Sequence, residues 1–100
     1  MTLRIVVAGA TGWVGRALVA AVTRADDLAL AAAVARASAG RDAGLEAGLS
    51  APLGLPLVAT LEEALATPSD VVIDYTRPDA VAAHTRLALE AGRHVVIGTS

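Results

Sequence analysis

The segment that most constrains this chain is Val7-Ala8-Gly9-Ala10-Thr11-Gly12-Trp13-Val14-Gly15, where three glycines fall at G-x-x-G-x-x-G spacing. The residues before it, Leu3 to Ala8, are apolar apart from Arg4, as in a strand buried on both faces of a parallel sheet. The residues after it, Trp13, Val14, Ala17, Leu18, Ala21 and Val22, recur with helical spacing. A strand, a glycine turn and an amphipathic helix in that order make a phosphate-binding turn. Gly9 permits the tight exit from the strand, Gly12 lets a pyrophosphate approach the backbone, and Gly15 lets the helix pack close to the strand. Free N–H groups of the first helical turn and the helix dipole then favour an anion. The expected ligand is a dinucleotide held at this turn by its pyrophosphate. A turn that needs glycine for packing alone is the other reading of the same residues.

The remaining pattern extends this unit. Leu28 to Val34 reads as a second strand. Ala37 to Pro56, rich in Gly, Ala and Ser, reads as a mobile loop with room for a helical turn around Leu45. Leu57 to Ala59 reads as a short strand. Thr60 and Glu63 form a capping box at the head of a helix that Pro68 closes. Val71 to Tyr75 is a buried strand. Pro78 opens a last helix that Gly92 ends, and His94 to Ile97 is a final strand. Strands alternating with helices imply right-handed crossovers. The predicted fold is therefore α/β: a Rossmann-like, doubly wound parallel sheet in three α/β/α layers, in one domain over residues 1–100.

Composition excludes other chemistry. All eight basic residues are Arg, so no lysine Schiff base or P-loop lysine is available. No cysteine is present, so no disulfide or thiolate metal site is available, and no metal site is expected. A formal net charge of -2 gives no case for nucleic acid. No apolar run is long enough for a membrane span, and a cytoplasmic location is expected.

At the end of the second strand, an NAD-type site carries an acid for the ribose 2′-hydroxyl. Here Ala35 and Arg36 stand in that place. With no acid to repel a 2′-phosphate and an arginine to pair with one, NADPH preference over NADH is expected, with Ser38 or Arg41 as helpers. A solvated loop role for Arg36 is the alternative. Asp74, at the end of a buried strand, reads as a carboxylate bonded to local loop N–H groups. Thr76 and Arg77 are also placed to cap the following helix.

In order along the chain stand Gly9-Ala-Thr-Gly-Trp-Val-Gly15, Ala35-Arg36, Ile73-Asp74-Tyr75-Thr76-Arg77-Pro78 and Val96-Ile97-Gly98-Thr99-Ser100. Together they resemble the N-terminal domain of the dihydrodipicolinate reductase (4-hydroxy-tetrahydrodipicolinate reductase) family, along the whole chain. The resemblance implies an NAD(P)H-dependent oxidoreductase of lysine and diaminopimelate biosynthesis, reducing a cyclic dicarboxylate. It implies pyrophosphate contacts by Gly9, Ala10, Thr11, Gly12, Trp13 and Val14, cofactor contacts by Tyr75, Thr76 and Arg77, and contacts by Gly98, Thr99 and Ser100 on the nicotinamide side. Only the Arg of the family's Glu-Arg pair is kept, as Arg36, and Ser100 replaces a threonine while keeping a hydroxyl. The family's catalytic histidine and lysine belong to a later domain, so no catalytic residue is expected here. The chain reads as a truncated, inactive cofactor-binding unit of a full-length homotetramer. His84 and His94 match no catalytic position and read as structural or surface residues. The glycine turn is also similar to those of extended short-chain and aspartate-semialdehyde dehydrogenases, and a non-catalytic dinucleotide sensor has the same fold.

Overall fold

The structure, a computed structural model, describes residues 2–98. Its elements are β1 (Leu3–Ala8), α1 (Trp13–Arg24), β2 (Leu28–Val34), a 3-10 turn (Arg36–Ser38), α2 (Ala43–Glu46), α3 (Leu61–Leu65), β3 (Val71–Asp74), α4 (Pro78–Glu90) and β4 (His94–Ile97). The four strands form one parallel sheet in the order β2-β1-β3-β4.

Alternation along each strand divides the core into two. Ile5, Val7 and Ala33 point to the face covered by α1 and α2, against Val19, Val22 and Ala43. Val6, Ala32, Val34 and Val72 point to the other face, against Leu61, Ala64 and Ala88 of α3 and α4. The expected three layers are thus present. The pairing of β1 with β2 skips one residue between Ile5 and Val6, at Ala31. That bulge reverses which residues of β2 face α1: Leu28 and Leu30 before it, Ala33 after it.

Two expectations are corrected. Leu57–Ala59 is not a strand; it makes only the isolated bridge Val34–Val58, and β2 is the edge of the sheet. Segment 56–59 runs beside β2 for too short a distance to build a ladder. The buried stripe of α1 is Gly15, Val19 and Val22, with Leu18 half-buried; Trp13 is 94% exposed and Ala17 and Ala21 face solvent. Gly15 sets that rotation, because its missing side chain is what lets the helix sit on the Gly9 carbonyl.

Segment 37–56 is also more ordered than its composition suggests. Asp42 collects four backbone N–H donors: Leu45 (3.0 Å), Leu53 (3.0 Å), Gly54 (2.8 Å) and Leu55 (3.1 Å). One carboxylate therefore caps α2 and staples the far end of the loop to it. The helical turn expected at Leu45 is α2.

Candidate functional site

The sheet order puts β2 on one side of β1 and β3 on the other. The chain leaves the carboxyl ends of β1 and β3 toward opposite faces of the sheet, and such a switch point opens a crevice. A cleft of about 600 Å³ lies there. Its walls include Gly9, Thr11 and Gly12 from the glycine turn, Arg36 and Ala37 after β2, Ala59, Tyr75, Thr76 and Arg77 after β3, and Asp79, Ala80 and His84 of α4. A smaller hollow of about 300 Å³ between α1, β2 and Leu53–Leu55 is mostly apolar and gathers no titratable side chains.

The glycine turn is built as its spacing predicts. Gly9 has φ +81°, and a Cβ there would stand 2.8 Å from the Tyr75 carbonyl oxygen. The loops after β1 and β3 therefore touch through their backbones. Gly9 and Ala10 both donate their N–H to the Val34 carbonyl, at 3.1 and 3.0 Å, which ties the turn to β2. The amide N–H groups of Thr11, Trp13 and Val14 have no partner among the described residues. They are the orphan donors of a helix start, and Gly12, exposed and without a Cβ, leaves the approach to them open.

These features fit a dinucleotide: an anion seat of unpaired N–H groups, a floor without side chains, and a cation on the adjacent lip. Arg36 is exposed and takes part in no ion pair among the described residues. Arg41, the expected helper, is paired with Glu46 at 3.8 Å.

The structure does not bring every expected residue to the cleft. Ala10 is buried, and Trp13 and Val14 point into solvent beside the cleft, so their contribution to it is the backbone N–H of Trp13 and Val14. Gly98 lies under the Tyr75 ring, where a Cβ would overlap the ring carbons. Its N–H donates to the Asp74 carbonyl at 3.0 Å. Thr99 and Ser100 lie outside the described residues.

Asp74 is fully buried. As expected, it accepts a local loop N–H: Oδ1 takes the Thr76 amide at 2.9 Å and the Thr76 hydroxyl as well. The other oxygen, Oδ2, lies 3.1 Å from His84 Nδ1. His84 is thus a part of the cleft wall that sequence reasoning missed. No local pattern pairs it with Asp74, ten residues earlier and across the turn into α4. Its place on the second turn of that helix, close after the loop that leaves β3, was the available signal. His94 is exposed on β4, a surface residue as expected. Among the described residues no group of three or more metal-ligating side chains occurs, and no helix is long and apolar enough to cross a membrane.

Residues 3–100 match the family model described as dihydrodipicolinate reductase, N-terminus. The chain is 37% identical to 4-hydroxy-tetrahydrodipicolinate reductase of Nocardia farcinica over all of its length and 32% of that protein's. With the same enzyme of Geobacillus thermodenitrificans it shares 41% over all of its length and 38% of that protein's. The chain thus spans about a third of the length of the curated relatives it matches. Among solved structures, dipicolinate-bound dihydrodipicolinate reductase from a Paenisporosarcina species superposes with a TM-score of 0.80 at 28% identity, over 100% of this chain and 38% of that one. Aspartate semialdehyde dehydrogenase with NADP from Candida albicans gives 0.72 at 24% identity, over 100% of this chain and 30% of that one, a likeness of fold.

Proposed function

The chain belongs to the dihydrodipicolinate reductase N-terminal family, and from that membership we propose that it is the cofactor-holding part of a 4-hydroxy-tetrahydrodipicolinate reductase. The whole protein would be an NAD(P)H-dependent enzyme of lysine and diaminopimelate biosynthesis, cytoplasmic and homotetrameric, acting on a cyclic dicarboxylate. When bound, the cofactor supplies the hydride. This chain's own residues do the binding and orienting. The unpaired N–H groups of Thr11, Trp13 and Val14 seat the pyrophosphate. The Tyr75-Thr76-Arg77 loop would lie by the cofactor, and the Gly98-Thr99-Ser100 segment would contact its nicotinamide side. The family's catalytic histidine and lysine belong to a later domain, so this unit is expected to bind without turnover.

The observation that carries this reading is the single cleft joining the glycine turn, the Arg36 lip and the Tyr75–Arg77 loop. The finer reading is a preference for NADPH. Arg36 has no competing carboxylate partner among the described residues, and Ala35, buried at 6% exposure, presents no acid to repel a 2′-phosphate. An arginine–phosphate bond contributes about 1.5–3 kcal/mol. NADPH should therefore bind about tenfold or more tighter than NADH, and Arg36→Ala should abolish the difference while sparing NADH. Calorimetric titration of both cofactors decides it. Equal affinities, unchanged in Arg36→Ala, would sink the preference, and no binding of either would sink the reading itself.

A further inference from the structure

The sheet has two edges, and they differ. At β2 the chain guards its own edge near the carboxyl end. There the Ala35 amide donates to the Val58 carbonyl at 2.9 Å, and the Val58 amide donates to the Ala33 carbonyl at 3.0 Å. At β4, the last strand in the order, nothing among the described residues does the same. The amides of His94 and Gly98 donate inward, to the carbonyls of Asp70 and Asp74, at 3.0 Å each. Direction alternates from residue to residue along a strand, so the N–H and C=O groups of Val95 and Ile97 point outward. Such a row is a template for another strand, and edges are commonly blunted by charge, proline or a bulge. His94-Val95-Val96-Ile97 carries no carboxylate, lysine, arginine or proline, and it pairs with β3 without a bulge. Its side chains are open as well. Val96, in register with Ile73, lies on the α1 face and is 52% exposed; Ile97 lies with Val95 on the α4 face and is 48% exposed.

Within this chain only Thr99 and Ser100 follow the described residues, fewer than a return turn and a covering strand require. A second copy meets the requirement. We propose that two copies of this chain join through β4, antiparallel about a two-fold axis at Val96, so that two four-stranded sheets become one eight-stranded sheet. In that register Val95 of each copy exchanges both of its outward backbone hydrogen bonds with Ile97 of the other. Val96 stands opposite its own counterpart in the non-hydrogen-bonded position, with Cα atoms about 4.5 Å apart. The contact is isologous, one patch meeting itself, and it sets apolar against apolar. No like charges are opposed, because the flanking Arg93 guanidinium is turned back to Ser69 Oγ and the Leu65 carbonyl, at 3.0 Å each. Antiparallel joining sends the two carboxyl edges to opposite ends of the sheet. Both clefts stay open, and the pairing does not depend on what they hold.

Sedimentation of the chain over a dilution series measures the pairing. A contact of one short strand is small, so the mass should be twice that of one chain when concentrated and fall to one chain on dilution. Val96→Lys sets like charges opposite each other at the axis. Ile97→Pro removes an outward N–H and leaves the ladder with β3 intact. Both variants should sediment as one chain at every concentration, with the circular dichroism of the unaltered chain. The chain has no cysteine, so a single introduced one reports the register. Val96→Cys should oxidise to a covalent dimer, because the separation expected at the axis lies within disulfide range. Leu45→Cys, equally exposed but on α2, should remain single under the same conditions. If Val96→Lys or Ile97→Pro does not fold, the other variant and the cross-link still decide. One-chain mass at every concentration, growth past two chains, pairing that survives the folded variants, or cross-linking no faster in Val96→Cys than in Leu45→Cys each overturns the proposal.

Discussion

Two glycines three residues apart in one turn do different work, and alanine at each should separate folding from binding. A Cβ on Gly15 would overlap the Gly9 carbonyl and press on Ala10. Backbone cannot swing aside as a side chain can, so helix α1 must lift from the sheet. Overpacking of this kind costs about 1–3 kcal/mol, and Gly15→Ala should lower the melting temperature as well as weaken cofactor binding. Gly12 differs. Its φ of -71° suits any residue, and a Cβ there would find only the Gly9 oxygen, at 3.4 Å. Gly12→Ala should therefore melt within a few degrees of the unaltered chain yet bind NADPH about tenfold or more weakly, because the new methyl stands over the phosphate seat. Thermal melts beside titrations check the contrast; equal loss of stability in both variants would refute it. The packing role of Gly15 was legible in the spacing alone, since it depends on neighbours within the same turn. His84 was not legible, because its task depends on a carboxylate that only the fold brings to it.

At the scale of elements, the same distinction explains which segments could be read ahead of the structure. The strands and long helices carry local periodicity, and β1, β2 and β4 run between the expected residues. The rotation of α1 was misjudged because alanines at 17 and 21 are small enough to sit in either environment. Segment 37–56 lacks periodicity altogether; its order comes from one carboxylate reaching donors as far as thirteen residues away. Partial desolvation pushes the Asp42 carboxyl up, but the four N–H donors together outweigh it and hold the carboxyl below its ordinary value. Asp70 is lowered too, first by the side-chain hydrogen bond from Arg4 and then by the Arg4 amide. A carboxyl lowered in the folded state stabilises above its unfolded value, and that contribution fades as pH falls through the folded one. The melting temperature should thus hold steady from neutrality down to about pH 4, the ordinary carboxylate value, and fall below it. Asp42→Asn should flatten part of that acid fall and speed amide hydrogen exchange at Leu53, Gly54 and Leu55. An acid fall of undiminished size with unchanged exchange would show that the staple contributes nothing.

Across the whole molecule, the chemistry gathers at one edge of the sheet and the core lies behind it. The radius of gyration is 12.0 Å, close to the ~13 Å expected of a closed domain of this length, so the unit is as compact as a domain that carries its own core. The loops after β1, β2 and β3 all open at the carboxyl edge, whereas α1 runs back from that edge and carries Val22, 3% exposed, toward the other end. Stability and binding should then be separable. Val22→Ala removes two buried carbons and leaves a cavity, at a cost of about 2 kcal/mol, or roughly 8–16 °C in melting temperature for a domain of this size. Below that transition its dissociation constant for NADPH should match the unaltered chain within about twofold. A ligand that binds only the folded state adds about 2.7 kcal/mol at a hundred times its dissociation constant. Cofactor at that excess should therefore return Val22→Ala to the melting temperature of the unliganded parent, or slightly above it. Calorimetric scans with and without NADPH measure both shifts. A weakened dissociation constant in the folded variant would mean that strain at the far end of α1 reaches the phosphate seat, and that the helix moves as one body with the turn it starts from.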